Sequence, residues 1–206
     1  MPIQLGAPPE NSFDTPLGLL SDCHRRIERF LEQLLHVTET AGGRPLDPAQ
    51  RDALEAALRY FREAAPLHTQ DEEASLFPRL RASGLPAARA ALAALERLEA
   101  DHDRADAAHA EVDRLGRAWL TDGTLPEAAA GRLAALLGDL RETYRRHIAV
   151  EDSQIFPLAN RALTPDEIAH VGREMALRRG LDPGRLPSAS RPAPRRGTAA
   201  GHSRPE

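Results

Sequence analysis

Two short stretches of this chain hold the residue types able to do chemistry. The first reads His68-Thr-Gln-Asp-Glu72-Glu-Ala-Ser-Leu-Phe77-Pro78 and the second His147-Ile-Ala-Val-Glu151-Asp-Ser-Gln-Ile-Phe156-Pro157. Both run His, three residues, Glu, three residues, then an aliphatic residue, Phe and Pro. On an α-helix, positions i and i+4 lie one turn apart on the same face. Each stretch therefore presents an imidazole and a carboxylate in one direction. Neutral imidazole suits iron, zinc or copper, and a Glu carboxylate can bridge two cations.

Two further histidines complete the pattern. His24 lies 44 residues before His68, and His102 lies 45 before His147. The chain thus reads as two copies of one unit, a helix with a lone His followed by a helix with His-x3-Glu. Two such helical hairpins packed back to back bring His24, His68, Glu72, His102, His147 and Glu151 to one bundle centre, a two-metal constellation. Carboxylates buried there without partners would cost several kcal/mol each, and a bound cation is the simplest compensation.

The elements that must position these residues are helices. The chain has 206 residues, only 4% of them aromatic, and is dominated by Ala, Leu, Arg and Glu. That composition predicts a globular all-α protein large enough to bury a core without disulfides. Its single cysteine, Cys23, rules out an intramolecular disulfide framework and fits a reducing compartment. A formal net charge of −4 gives no basic face for nucleic acid. No run approaches the roughly 18 apolar residues of a membrane helix, and no signal-peptide core precedes the first helix. The expected address is cytoplasmic.

In chain order, an N-terminal extension over 1–15 precedes a first helix starting near Thr15-Pro16, with seam Leu17, Leu20, His24, Ile27, Leu31 and Leu34. Gly42-Gly43 ends it. Asp47-Pro48 opens the second helix, and Pro66 inside it predicts a kink or loosened turn just before His68. Ser83-Gly84 closes that helix and Pro86 opens the third, with seam Leu92, Leu95, Leu98, His102, Ala105, His109 and Val112. Thr124-x-x-Glu127 reads as a capping box for the fourth helix, with seam Leu133, Leu137, Leu140, Tyr144, His147, Glu151, Gln154 and Leu158. A second box, Thr164-x-x-Glu167, starts a short fifth helix over 164–180. The Pro-, Gly- and Arg-rich remainder, 181–206, is expected to be disordered. Residues 16–163 would form an up-down-up-down four-helix bundle.

The seams rank the polar residues. Glu72 and Glu151 fall on the inward face, Glu28 and Asp106 at its flank, and Glu73 and Asp152 nearer solvent. His109 is about 10 Å along the axis from His102, at ~1.5 Å per residue, too far for the same ion and suited to packing or to supporting the ligands. Tyr144, one turn before His147, reads as core whose hydroxyl could reach a metal-bound ligand. Phe61, Phe77 and Phe156 read as hydrophobic walls, while His36, His170 and His202 read as surface or tail. Cys23 turns about 100° away from His24 on the helix and is not expected to ligate.

His24, His68-x3-Glu72, His102 and His147-x3-Glu151, with both Phe-Pro endings, resemble the hemerythrin-like family, the HHE cation-binding domains, over residues 16–160. The resemblance implies a four-helix bundle with two non-haem iron ions as cofactor. By the same resemblance, Glu72 and Glu151 would be bridging carboxylates and the four histidines terminal ligands. Oxygen-carrying members have a second His one turn after the third-helix ligand, where this chain has Asp106, close to one iron. They also have an Asp five residues after the fourth-helix His, where this chain has Glu151 at four and Asp152 at five. The pattern is nearer the sensory and enzymatic branch. It implies a protein that reacts with or senses a small ligand, namely oxygen, peroxide or nitric oxide. The alternative is an iron-binding, iron-sensing or oxygen-storage module without turnover.

Overall fold

The computed structural model describes residues 11–182, and every regular element among them is helical. In chain order these are α1 (Pro16–Ala41), α2 (Pro48–Glu63), α3 (Ala65–Asp71), a π-helical turn π1 (Glu72–Leu76), α4 (Phe77–Ala82), α5 (Pro86–Asp122), α6 (Glu127–Val150), a second π-helical turn π2 (Glu151–Ile155), α7 (Phe156–Ala162) and α8 (Pro165–Arg178). Helix α1 packs against α2 and α6, and α5 packs against the same two, so the four close a ring. Helix α8 lies outside it, against α1, α3 and π1. No helix among the described residues is long and apolar enough to cross a membrane. The tail expected to be disordered falls, from residue 183 on, outside the described residues, as does the N-terminal extension up to residue 10.

Local chemistry accounts for most helix ends. Thr15 precedes Pro16, whose missing N–H costs nothing in the first turn. Asp47 and Gln50 form a reciprocal capping box, as do Thr164 and Glu167. The box expected at Thr124 does not form. Pro126 occupies the cap position of α6 with no side-chain hydrogen bond. The Leu125 N–H instead donates 2.8 Å to the carbonyl of Gly43 and ties this turn to the first one. Gly42 and Gly123 end α1 and α5 with φ of 56° and 77°, a region side chains disfavour.

The prolines shape the middle of two columns. Pro66 interrupts the second column as expected: α2 stops at Glu63, and Leu67 N–H reaches only three residues back, to Ala64 O at 3.2 Å. Pro78 and Pro157 act differently. In an α-helix each ring would collide with the carbonyl four residues back. The preceding turn widens instead, and the N–H groups of Phe77 and Phe156 bond five residues back, to Glu72 O and Glu151 O. Each widened turn begins on a seam carboxylate. The extra residue also rotates everything downstream, which corrects the seam drawn through Gln154. Gln154 is exposed, and Ile155 takes the buried place at 1% exposure.

The core divides into two apolar clusters. One gathers Ile27, Leu31, Leu34, Leu54, Leu58, Trp119 and Leu137. The other gathers Leu20, Leu76, Phe77, Leu95, Ile155, Phe156, Val171 and Met175, the last two from α8. Helix α8 closes on this second cluster closely enough that Gly172 sits under the backbone of Phe13, where a Cβ would lie 1.9 Å from its carbonyl oxygen.

Charge holds α8 as well. Asp71, wholly buried, accepts from Arg178 and Arg179 at 2.7 Å each, and Arg178 also reaches Ser75 of π1. Breaking a buried pair by removing one side leaves an uncompensated charge, at roughly 3–5 kcal/mol. The double variant Arg178→Ala, Arg179→Ala should therefore lose about that much in chemical denaturation, and each single variant less. A loss below about 1 kcal/mol in the double variant would reduce the clamp to an ordinary surface ion pair.

Candidate metal centre

Six side chains meet between the two apolar clusters. Helix α1 supplies His24, α3 His68, α5 His102 and α6 His147, while Glu72 and Glu151 open the two π turns. None is more than 6% exposed. Their donor atoms form two groups, His24, His68, Glu72, Glu151 and Glu72, His102, His147, Glu151, each with its atoms within 4.8 Å of one another. Both carboxylates belong to both groups. His24 Nε2 lies 3.1 Å from Glu151 Oε2 and 3.8 Å from Glu72 Oε1, and His68 Nε2 lies 3.5 Å from Glu72 Oε1. On the other side, His147 Nε2 lies 3.1 Å from Glu151 Oε2 and His102 Nε2 lies 3.5 Å from Glu72 Oε2.

Acidic residues behind the imidazoles orient them. His24 Nδ1 lies 3.1 Å from Asp152, and His102 Nδ1 lies 2.7 Å from Glu73. His147 Nδ1 faces Asp101 at 3.7 Å. With Nδ1–H donated backwards to a carboxylate, Nε2 is left as a lone pair pointing into the centre, the form a metal takes. His102 Nε2 and His147 Nε2 stand 3.1 Å apart. Two lone pairs at that distance repel unless something positive lies between or beside them. His24 Nε2 and all four oxygens of Glu72 and Glu151 are buried with no hydrogen-bond partner. Buried polar atoms are rarely left so. A pair of cations would satisfy all five atoms.

The titration behaviour reflects the same crowding. Burial raises the Glu72 carboxyl well above its ordinary value, reinforced by the facing Glu151. Burial opposes ionisation of Glu151 too, but the imidazoles of His147 and His24 beside it, at 3.1 Å each, outweigh it and lower its pKa. Two carboxylates facing across one small space do not both ionise freely, and their pKa values move apart. Burial disfavours the imidazolium at His24, yet Asp152, Glu151 and Glu72 together raise it well above the usual range. His68 is lowered, first by burial and then by His24. Its Nδ1 has no partner.

All six residues singled out from the sequence thus come together. Of the acids behind them, Asp101 carried no signal, while Glu73 and Asp152 read from the sequence only as residues nearer solvent, and these two are half-buried and exposed. Their one signal was the acidic doublet at matched positions of the repeat, Glu72-Glu73 and Glu151-Asp152. Glu28 is exposed, and so is Asp106, which lies in neither donor group. Asp106, which the resemblance put close to one iron, lies at the flank that the seam gave it, with Ala105 and His109 on the inward side of α5. There it lines an outer cavity of ≈ 240 Å³ with His109, Phe61 and Pro66. Phe156 stacks on His24 at 5.4 Å, and Phe61 stacks on His109 at 4.2 Å. Cys23 is buried, outside both groups, against a cavity of ≈ 370 Å³ lined also by Arg26, Tyr60 and Arg179. His36 and His170 are exposed, and His202 lies outside the described residues.

Residues 15–159 match the family model described as the Hemerythrin HHE cation binding domain. The chain is also similar to an uncharacterized protein of Haemophilus influenzae, 27% identical over 169 residues, which span 82% of this chain and 92% of that protein.

Two measurements probe this geometry. Glu72→Ala or Glu151→Ala should remove most bound metal, because each carboxylate serves both groups, whereas Glu28→Ala and Asp106→Ala should retain it. Asp152→Asn and Glu73→Gln should fall between, with affinity down roughly 10–100-fold. Metal analysis of purified variants decides, and equal losses at Glu28 and Glu72 would sink the assignment. The second concerns His109, whose pKa burial lowers from 6.5 to about 4. The unfolded chain then binds a proton that the folded chain refuses, so stability falls as pH drops from about 6.5 to about 4 and levels off below. The full effect is on the order of 3 kcal/mol. His109→Leu should flatten that part of the stability–pH curve, and an unchanged slope would refute the assignment.

Proposed function

The chain belongs to the hemerythrin HHE cation-binding family, and we propose that it holds two non-haem iron ions and reacts with or senses oxygen, peroxide or nitric oxide. The observation that carries this reading is the sharing of both buried carboxylates by two donor groups. His24 and His68 would hold one ion, His102 and His147 the other, and Glu72 and Glu151 would bridge them. The family's up-down-up-down course over residues 16–163 would present the lone His of each hairpin to the other hairpin's carboxylate. A cytoplasmic address completes the reading, in keeping with the single cysteine.

When bound, a pair of irons supplies two linked one-electron changes and a Lewis-acid position for a small ligand. The protein's own part is to position and to exclude. Asp152 and Glu73 keep the imidazoles of His24 and His102 in the tautomer that offers Nε2 inward. The two apolar clusters keep bulk water from either end of the layer. A cavity of ≈ 10 Å³, lined by His24, His68, His102, His147, Tyr144 and Ile27, adjoins the donors. That volume is close to one water molecule, so only a small ligand could reach the donors without side chains moving.

Asp106 decides between carriage and reaction. The position that holds a further His in oxygen carriers is here an exposed carboxylate off the donor set, so one ion would be a ligand short. A position open to water or peroxide works against long-lived oxygen storage. A second reading, iron sensing without turnover, is favoured by the clamp of Arg178 and Arg179 on Asp71. It joins the residue beside Glu72 to a helix outside the ring, so that iron occupancy could be felt at α8.

The test is stopped-flow absorption of the reduced, iron-loaded protein mixed with oxygen, then with peroxide or nitric oxide. We expect oxidation to a stable diferric state, followed by consumption of peroxide or nitric oxide. Persistent, fully reversible oxygen uptake would return the protein to the carriers, and inertness to all three ligands would favour iron sensing.

A further inference from the structure

Between the donor layer and the outer cavity stands a half-buried pair that the six candidate donors do not use. His109 Nε2 lies 2.9 Å from the hydroxyl of Tyr144, on the facing helix α6. The His109 ring is held flat against Phe61, with planes 19° apart, and its Nδ1 is buried without a partner. Burial keeps this imidazole neutral at pH 7, so it carries a single proton. A buried N–H without an acceptor is rarer than a buried acceptor without a donor. The proton therefore sits on Nε2, and His109 donates to the Tyr144 oxygen.

That assignment leaves the phenol with its own proton to place. Tyr144 has no second hydrogen-bond partner among the described residues, and it lines the same small cavity as His24, His68, His102 and His147. Ala65 also borders this cavity and leaves room in it. We propose that the Tyr144 O–H donates into the metal cavity, to the outer atom of a small anion or diatomic bound there, with His109 as the positioning residue that fixes its direction. The ligand class is one whose outer atom keeps a basic lone pair, such as azide or a reduced oxygen species. The inference rests on the reading of the centre as a small-ligand site, and it adds to that reading a device for selecting among ligands. A hydrogen bond to a charged acceptor is stronger than one to a neutral acceptor, so the pair would favour anionic over weakly accepting ligands.

Azide binding to the oxidised, iron-loaded full-length protein tests this. Wild type should bind azide with an infrared band that shifts in D2O, because an exchangeable proton touches the ligand. Tyr144→Phe removes a single oxygen and should retain wild-type iron content. It should weaken azide binding by about tenfold or more and abolish the D2O shift. His109→Leu should broaden or split the band by freeing the hydroxyl rotor, and His109→Gln, which returns an N–H donor, should sharpen it again. A purely structural role for the pair would leave the band's isotope sensitivity untouched. A wild-type band blind to D2O, or a shift that survives in Tyr144→Phe, overturns the inference while leaving the metal reading standing. Failure of the iron-loaded wild type to bind azide at all overturns both.

Discussion

Everything in this fold answers to one constraint: a layer of imidazole nitrogens and carboxylate oxygens sits in the middle of a hydrocarbon core and must be neutralised there. The Nε2 lone pairs of His24, His102 and His147 and the four oxygens of Glu72 and Glu151 point inward, and most of them have no protein partner. Hydrocarbon would have been the more stabilising filling for such a bundle. Leaving a buried carboxylate unpaired costs more than a surface charge ever returns. Cations that pair with those atoms turn the least favourable layer of the molecule into its tightest crosslink, because metal binding free energy is then folding free energy. The apolar clusters on either side make this effective by keeping the surrounding dielectric low.

The two hairpins interlock through their supporting residues as much as through the ligands. Asp152, from the second repeat, orients His24 of the first, and Glu73, from the first, orients His102 of the second. Each shared carboxylate is thus followed by an acid that reaches across to the other hairpin's lone histidine. The π turns are part of the same device. By widening at Glu72 and Glu151, they relieve the clash of Pro78 and Pro157. They also let two consecutive acidic residues serve different purposes, one directed inward and one sideways.

That these six side chains meet was legible from the sequence because two independent periodicities coincided on them. The four-residue spacing put His and Glu on one helical face, and the 44- and 45-residue spacing repeated the arrangement. Helix ends were legible wherever side-chain or proline chemistry is local, as at Asp47-Pro48 and Thr164. They failed at Thr124, where a tertiary bond from Leu125 to Gly43 sets the turn and leaves Pro126 as the cap. The shift of Gln154 outward was also hidden. Proline's consequence could be read at Pro66, but at Pro157 the strain is absorbed as a widened turn rather than a break. The choice between these outcomes depends on what the column packs against. The seam put Asp106 at the flank, where it lies exposed, and only the resemblance drew it toward one ion. Four-residue spacing from His102 alone does not make it a donor, because the seam steps through Ala105 and His109.

The repeat is imperfect, and the imperfection has a direction. Asp71, which precedes Glu72, is wholly buried under two arginines of α8, whereas the equivalent residue before Glu151 is Val150, with no such clamp. On the same column, His68 follows the break at Pro66 and is the one ligand histidine whose Nδ1 has no partner. Helix α8 therefore stiffens the carboxylate of the column that holds the least supported imidazole. Both departures from the repeat thus fall on one column: two arginines brace the residue beside Glu72, and no acid stands behind His68.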